Sequence, residues 1–249
     1  MDFNIKYNRV PLKANDIILG DRLGEGSSGI IYEISEDAVI KILKEGHQFE
    51  YDFYHLYMRD LNESYISNMI GLPLGYGNIN NTQPFIILNK YSKFNIKYVE
   101  GTTLELKLIR LIYQLLVVED YLETELEFVN LDLKLNNIML DINNNIKVID
   151  FGLIKKFNKD DIFYSYKNYY IWPLEQSPIR SVPLYSIFIL ISSLFLEFEI
   201  INNNTTLFIL NRLKENFSKQ FQYIMKILSD LQYDSKYIIY KINTLYAFF

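Results

Sequence analysis

Residues 130–152 read NLDLKLNNIMLDINNNIKVIDFG. Two short apolar runs, 138–140 and 146–150, flank an Asn-rich turn at 141–145. Asn and Asp bond their own backbone and tolerate turn geometry, so the spacing predicts a tight hairpin. Polar residues stand at both of its ends. Asp132, Lys134 and Asn137 precede it with the spacing D-x-K-x-x-N, and Asp150-Phe151-Gly152 follows it. The turn begins like a calcium loop at Asp141, but Ile146 replaces the required glycine and Gly152 the bidentate Glu. It reads as the tip of the hairpin that carries Asp150.

Upstream, residues 15–89 carry short β-branched runs (GIIYEI, AVIKIL, PFIILN) punctuated by Gly, Ser, Asp and Asn. One helix is expected over 49–61, where Phe49, Phe53, Leu56 and Tyr57 recur at spacings of three and four. Residues 23–32, LGEGSSGIIY, place Gly24, Gly26 and Gly29 in a G-x-G-x-x-G pattern with Ile31 two residues beyond. A dinucleotide fingerprint opens into a helix. Here the loop opens into a strand, so it is a strand–turn–strand whose bare backbone can approach phosphates. Lys41 follows on the next strand. Downstream, Leu104, Leu108, Leu111, Ile112, Leu115 and Leu116 form a long amphipathic face, and helix is expected from there to Phe249, apart from the hairpin and a Pro-bearing loop at 171–183.

Composition removes other classes. The 249 residues are 49% hydrophobic and 22% charged, enough to bury a core. No cysteine is present, which excludes disulfides, thiolate metal sites and a cysteine nucleophile. Two histidines, His47 and His55, cannot make a three-histidine metal site. With 25 Lys and Arg against 30 Asp and Glu, the formal charge is −5, which disfavours nucleic-acid binding by bulk charge. The most apolar run, 184–196, has 13 residues interrupted by three serines, short of the ~20 a membrane span needs. With no signal-peptide pattern at the start, a cytoplasmic protein is expected, and the sequons at Asn62, Asn80, Asn203, Asn204 and Asn216 carry little weight.

From Gly24 to at least Glu175, the glycine loop, the Ala38-Val39-Ile40-Lys41 strand, D-x-K-x-x-N and Asp-Phe-Gly occur in the order seen in eukaryotic-type protein kinases, and the chain resembles that superfamily. The resemblance implies an α+β, bilobal fold over 1–249: a small antiparallel β-sheet N-lobe with one main helix (1–89), a hinge near 89–93 and a larger, mostly helical C-lobe (90–249). It implies ATP and Mg²⁺ as cofactors, bound in a cleft between the lobes, and a protein hydroxyl as acceptor. Gly24, Gly26, Gly29 and Ile31 would cover the nucleotide, and Lys41 would meet its α- and β-phosphates. Leu88 would be the gatekeeper, with adenine bonded to backbone groups of Asn89 and Tyr91. Glu50 is the expected partner of Lys41, with Asp52 second. Asp132 would accept the hydroxyl proton, Lys134 stabilise the transferred phosphoryl, and Asn137 and Asp150 hold Mg²⁺. A lysine at 134 resembles Ser/Thr kinases more than Tyr kinases. The run E-x-x-F-Y from Glu50, Ile70-Gly-Leu-Pro73 and Gly75-Tyr-Gly77 is similar to the branch of casein kinase one, vaccinia-related and poxvirus kinases. With the Asn, Ile, Lys and Tyr enrichment, this suggests a viral source and a host-cytoplasmic site of action.

Departures from the pattern bear on activity. The usual His-Arg before the catalytic Asp is Asn130-Leu131, so activity independent of activation-loop phosphorylation is expected. Trp172-Pro173-Leu174-Glu175 resembles a degenerate A-P-E, with Arg212 a candidate partner of Glu175. Residues 182–186 lack the Asp that in the family opens the large buried helix and braces the catalytic loop, while Pro183 suits a first helical turn. The tyrosines at 164, 166, 169 and 170 read as an aromatic, packed loop, and the terminal YAFF as a core strap or partner patch. Few helices are expected after 200, giving a reduced substrate platform. Two alternatives to an active Ser/Thr kinase stand: an ATP-binding pseudokinase scaffold, and a kinase-fold enzyme acting on small molecules.

Overall fold

The structure is a computed structural model that describes residues 3–8, 17–58, 61, 65–156, 158, 161–164, 176–196 and 205–246, without the side chains of 7, 8, 163, 164, 176, 177 and 205. In chain order the elements are β1 (Phe3–Asn8), β2 (Arg22–Glu25), β3 (Gly29–Glu33), β4 (Ala38–Leu43), α1 (Gln48–Phe53), β5 (Pro73–Ile79), β6 (Gln83–Asn89), β7 (Ser92–Lys93), α2 (Leu104–Glu125) and β8 (Phe128–Asn130). They continue as β9 (Ile138–Leu140), β10 (Ile146–Val148), β11 (Ile154–Lys156), β12 (Ile162–Tyr164), β13 (Gln176–Pro178), α3 (Val182–Ser193), α4 (Thr205–Asn216), α5 (Lys219–Ser229) and α6 (Ser235–Tyr246). Two compact units result. One takes Met1–Lys93 with Met139–Leu153, the other Phe94–Ile138 with Ile154–Phe249.

The first unit is built on an antiparallel six-stranded sheet of order β1-β5-β6-β4-β3-β2. Side chains alternate across a strand, so β4 sends Ala38, Ile40 and Ile42 to one face. There they pack with Phe3, Ile79, Phe85 and Ile87. Val39, Lys41 and Leu43 take the other face and are buried as well. Strand β1 lies upstream of the region read as strand. Its Phe3 packs edge-on against Phe85, with centroids 5.5 Å apart.

The expected helix over 49–61 is shorter and differently oriented. Regular helix stops at Phe53, and a π-turn carries the chain on through Tyr54–Met58. Phe49 and Leu56 are 44% and 64% exposed, while Glu50, Tyr51, Phe53, Tyr54 and Met58 are buried. Of the four residues in the apolar spacing, Phe53 alone is buried. Tertiary pairing of Glu50 turns the helix, and Phe53 and Tyr54 then pack on Phe151 at 5.2 and 5.9 Å between centroids.

The 130–152 hairpin forms as expected. Asp141 Oδ1 accepts from the N–H groups of Asn143 and Asn145, both at 2.9 Å, and closes the turn between β9 and β10. Strand β7 adds to β9, and Gly71 N–H donates to the Val148 carbonyl at 2.8 Å. These bonds hold the hairpin in the first unit.

In the second unit α2 is capped by Thr103, whose Oγ1 accepts from Leu106 N–H at 3.2 Å. The stripe Leu108, Leu111, Ile112, Leu115 and Leu116 is buried as read, while Leu104 is exposed. Glu105 ties the start of α2 to the C-terminal helices. It accepts from Ser218 N–H and Oγ at 2.9 and 2.6 Å and from the Tyr246 hydroxyl at 3.0 Å. The chain beyond 150 is not purely helical: β11 pairs with β8, and β12 with β13. Three-residue strands carry no periodic signal, and only their partners define them. Helix α3 opens with Pro183 in its first turn and is almost wholly buried. Among the described residues no helix is long and apolar enough to cross a membrane. Trp172–Glu175 (172–175), Tyr166, Tyr169, Tyr170, Asn62, Asn203, Asn204 and residues 247–249 lie outside the described residues. Arg212 pairs with Glu215 at 3.6 Å.

Candidate active site

The sequence-predicted residues fall into two groups, one in each unit. In the first, Lys41 lies on a central strand and is buried. Its Nζ donates to Glu50 Oε1 and Oε2 at 2.8 and 2.7 Å and to Asp150 Oδ1 at 2.8 Å. Glu50 is thus the lysine's partner, while Asp52 accepts from Gln48 on another face of the helix. Burial by itself would lower the Lys41 pKa, but the two carboxylates outweigh it and hold the ammonium above its ordinary value. One cation against two carboxylates leaves the cluster with a net negative charge, which favours an added cation. Asp150 has φ +62°, a left-handed conformation costing about 1–2 kcal/mol for a residue with a Cβ. Such strain clusters where a side chain must be aimed.

The glycines separate by role. A Cβ on Gly29 would lie 2.6 Å from the Ile42 carbonyl oxygen, so this glycine lets β3 approach β4. A Cβ on Gly24 or Gly26 would meet nothing within 4 Å. Packing does not require those two, and the open space above them suits a phosphate chain. Ile31 pairs directly with Lys41 across β3 and β4, and Val39 with Leu88 across β4 and β6. Directly opposed residues share a face. Ile31, Val39 and Leu88 therefore line the lysine's face of the sheet with apolar surface. Just beyond, Lys90 N–H is taken by the Asp37 carbonyl at 2.8 Å and its ammonium by Glu33 at 2.6 Å. The Asn89 amide reaches the Tyr91 hydroxyl at 3.5 Å.

In the second unit Asp132, Lys134 and Asn137 come together. Lys134 Nζ donates to both Asp132 carboxylate oxygens, at 2.9 and 2.7 Å. Asn137 Nδ2 donates to the Asp132 carbonyl at 2.9 Å and to its Oδ2 at 3.1 Å. That orientation turns the Asn137 carbonyl oxygen away from Asp132, where it can meet a cation. The Lys134 side chain is 53% exposed, free to follow a phosphoryl group. Asp150 in the first unit and Asn137 in the second each carry a hard oxygen donor of the kind Mg²⁺ takes. Among the described residues no three or more His, Cys, Asp or Glu are gathered to hold a metal alone.

Two residues were not singled out from the sequence. Ser28, buried in the glycine loop, has a hydroxyl that favours the ionised form of Glu50. Glu119 lies buried in α2 beside Asn130. Its place was legible in the helical spacing Leu115–Glu119–Leu122, which puts a carboxyl on the apolar stripe.

The chain is similar to the tyrosine-protein kinase receptor svh-2 of Caenorhabditis elegans, 26% identical over 156 residues. That match takes in 58% of this chain and 14% of the receptor, so the chain spans a small part of the relative's length. The sequence profile of the family described as protein tyrosine and serine/threonine kinase matches residues 17–179, well over half of the chain. The chain therefore belongs to the protein tyrosine and serine/threonine kinase family.

Proposed function

We propose that this chain is an active protein kinase that transfers the γ-phosphoryl group of Mg-ATP to Ser or Thr hydroxyls. The observation that carries the reading is Lys41, bonded at 2.7–2.8 Å to both Glu50 and Asp150, with no component of the group missing. Mg²⁺, when bound, neutralises phosphate charge. The chain's own residues do the rest. Lys41 binds α- and β-phosphate oxygens, fixed by Glu50, and the open glycines leave backbone N–H groups to meet phosphate. Asn137 and Asp150 offer oxygens to the metal. Asp132 orients the acceptor hydroxyl and takes its proton, and Lys134 moves its charge toward the transferred group.

Ser/Thr preference is supported by Lys134, and the likeness to a receptor tyrosine kinase makes tyrosine the competing acceptor. The motifs around Glu50, Ile70 and Gly75 support placement near the casein-kinase-one and poxvirus branch. Independence from activation-loop phosphorylation is supported by Leu131, an apolar side chain packed on Val129 and Ile179 where the family has an arginine. The pseudokinase reading draws on the same Asn130-Leu131 and on Pro183. Radiolabelled ATP with casein, myelin basic protein and a Glu-Tyr copolymer tests all of these. The expected result is label on Ser and Thr, lost in Asp132→Asn and unchanged after phosphatase treatment. Label on tyrosine overturns the acceptor class, and nucleotide binding without transfer overturns catalysis.

A further inference from the structure

Strand β1 lies at the edge of the six-stranded sheet, and its pairing with β5 is interrupted by a bulge. Ile5 pairs with Gly77 and Tyr7 with Tyr76, so Lys6 is the extra residue between them. A bulge re-aims a side chain. Here the Lys6 Nζ stands over the Tyr51 ring, 5.9 Å from its centroid and within range of a cation–π attraction. Gly77 permits the close approach of β1: a Cβ there would run into the Asn4 carbonyl oxygen and lie 2.9 Å from Ile5 Cα. Tyr51 is buried on α1, next to Glu50, yet its hydroxyl has no hydrogen-bond partner among the described residues. The ring is therefore the part of Tyr51 that its surroundings use. Tyr76 meets that ring edge-on at 5.4 Å between centroids, and the Tyr76 hydroxyl bonds His55 Nδ1 at 2.6 Å in the π-turn that follows α1.

The sheet register gives this contact its meaning. Lys41 opposes Ile86 across β4 and β6, and Tyr76 opposes Ile86 across β5 and β6. Directly opposed residues share a face, so Lys41, Ile86 and Tyr76 form one row across the sheet. Two successive residues of α1 hold the two ends of that row. Glu50 accepts from Lys41 at 2.8 and 2.7 Å, and Tyr51 packs on Tyr76. A helix of six residues has little stability of its own, so such contacts set its rotation. Lys6 closes over Tyr51 from the β1 side. We propose that Lys6 is a positioning residue for Glu50, acting through the Tyr51 ring, and that β1 is the strand that delivers it. The inference rests on reading the Lys41–Glu50 pair as the holder of the ATP phosphates.

The test uses the full chain with Lys6→Gln, Lys6→Arg, Gly77→Ala and Ile79→Val, read by hydrogen exchange over Gln48–Phe53 and by the Kd for Mg-ATP. Lys6→Gln removes the cation and is expected to speed exchange and weaken ATP binding about threefold. Lys6→Arg keeps a cation over the ring and should stay within about 1.5-fold of wild type in both. Gly77→Ala pushes β1 off β5 and should change both by about tenfold or more. Ile79→Val thins the core on the sheet's other face and should leave both within about 1.5-fold, because a smaller folded fraction lowers the number of sites and not their affinity. Unchanged exchange in Lys6→Gln overturns the proposal, as does faster exchange with unaltered ATP affinity. Lys6→Arg or Ile79→Val matching Lys6→Gln overturns it as well. Should Gly77→Ala not fold, the two Lys6 variants decide alone. A wild type that binds no ATP removes the kinase reading, and exchange over Gln48–Phe53 still decides whether Lys6 braces α1.

Discussion

Among the described residues Lys41 is the one cation bonded to Glu50 and Asp150, so its removal leaves a buried carboxylate facing a half-buried one. Breaking a buried pair in this way costs about 3–5 kcal/mol. Burial and the Asp150 charge already hold the Glu50 carboxyl above its ordinary value against the pull of Lys41, and removing the ammonium raises it further. Stability tied to such a raised group is present at low pH and lost as pH rises. Lys41→Met is therefore expected to destabilise the chain more at pH 8 than at pH 5, measured by urea unfolding. A loss equal at both values would contradict the picture. Glu119 follows the same sign in the wild type. Burial pushes its carboxyl up to about 8, against the pull of Asn130. Its contribution is intact below the unfolded value near 4.5 and is lost as pH rises through about 8. Glu119→Gln should gain on the wild type from pH 5 to pH 8.5, by up to a few kcal/mol, and a flat difference would exclude a buried neutral acid. Both residues were visible in the sequence to different degrees. Lys41 and Glu50 stood out because chemistry at fixed spacing is local. Glu119 could be placed on the apolar stripe from its spacing, but only the fold shows how completely the carboxyl is buried.

At the scale of elements, the glycine loop between β2 and β3 combines a packing need with a binding need, and substitution can separate them. Gly29→Ala places a methyl 2.6 Å from the Ile42 carbonyl oxygen, a backbone atom that cannot turn aside. It is expected to loosen the β3–β4 pairing by about 1–3 kcal/mol. Gly26→Ala meets nothing within 4 Å and should change stability by less than about 0.5 kcal/mol. It should still raise KM for ATP severalfold, because the added methyl enters the space proposed for phosphate. Thermal unfolding together with ATP titration checks both, and an unaltered KM in Gly26→Ala would remove the loop from nucleotide binding. The hairpin carrying Asp150 was legible because Asp141 makes its turn from bonds four residues apart or fewer. Strands β11 and β13 were not legible, since three residues give no alternation to count. The π-turn at Tyr54–Met58 was missed because the three-and-four spacing of Phe49, Phe53, Leu56 and Tyr57 reads as regular helix, although of these four Phe53 alone is buried.

For the molecule as a whole, motif order gave the family and the antiparallel sheet followed by helices. Motif order did not show that Met139–Leu153 belongs with the first unit, because the Ile70–Val148 bridge and the β7–β9 pairing join residues far apart in sequence. That assignment has a functional consequence. Lys41, Glu50, Asp150 and the glycine loop all lie in the first unit, whereas Asp132, Lys134 and Asn137 lie in the second. Nucleotide affinity should then depend mainly on the first group and transfer on the second. Mg-ATP at a hundred times its Kd stabilises a folded protein by about 2.7 kcal/mol, or roughly 5–10 °C in Tm for a chain of this size. Asp132→Asn should retain that shift while losing transfer by about a thousandfold or more. Asp150→Asn should keep part of the shift with ATP alone and lose the increment that Mg²⁺ adds, because its amide is a poorer ligand for a hard cation. Differential scanning fluorimetry with ATP, with and without Mg²⁺, separates the two variants. If Asp132→Asn abolished the shift as fully as Asp150→Asn, binding and transfer would not divide along the two units.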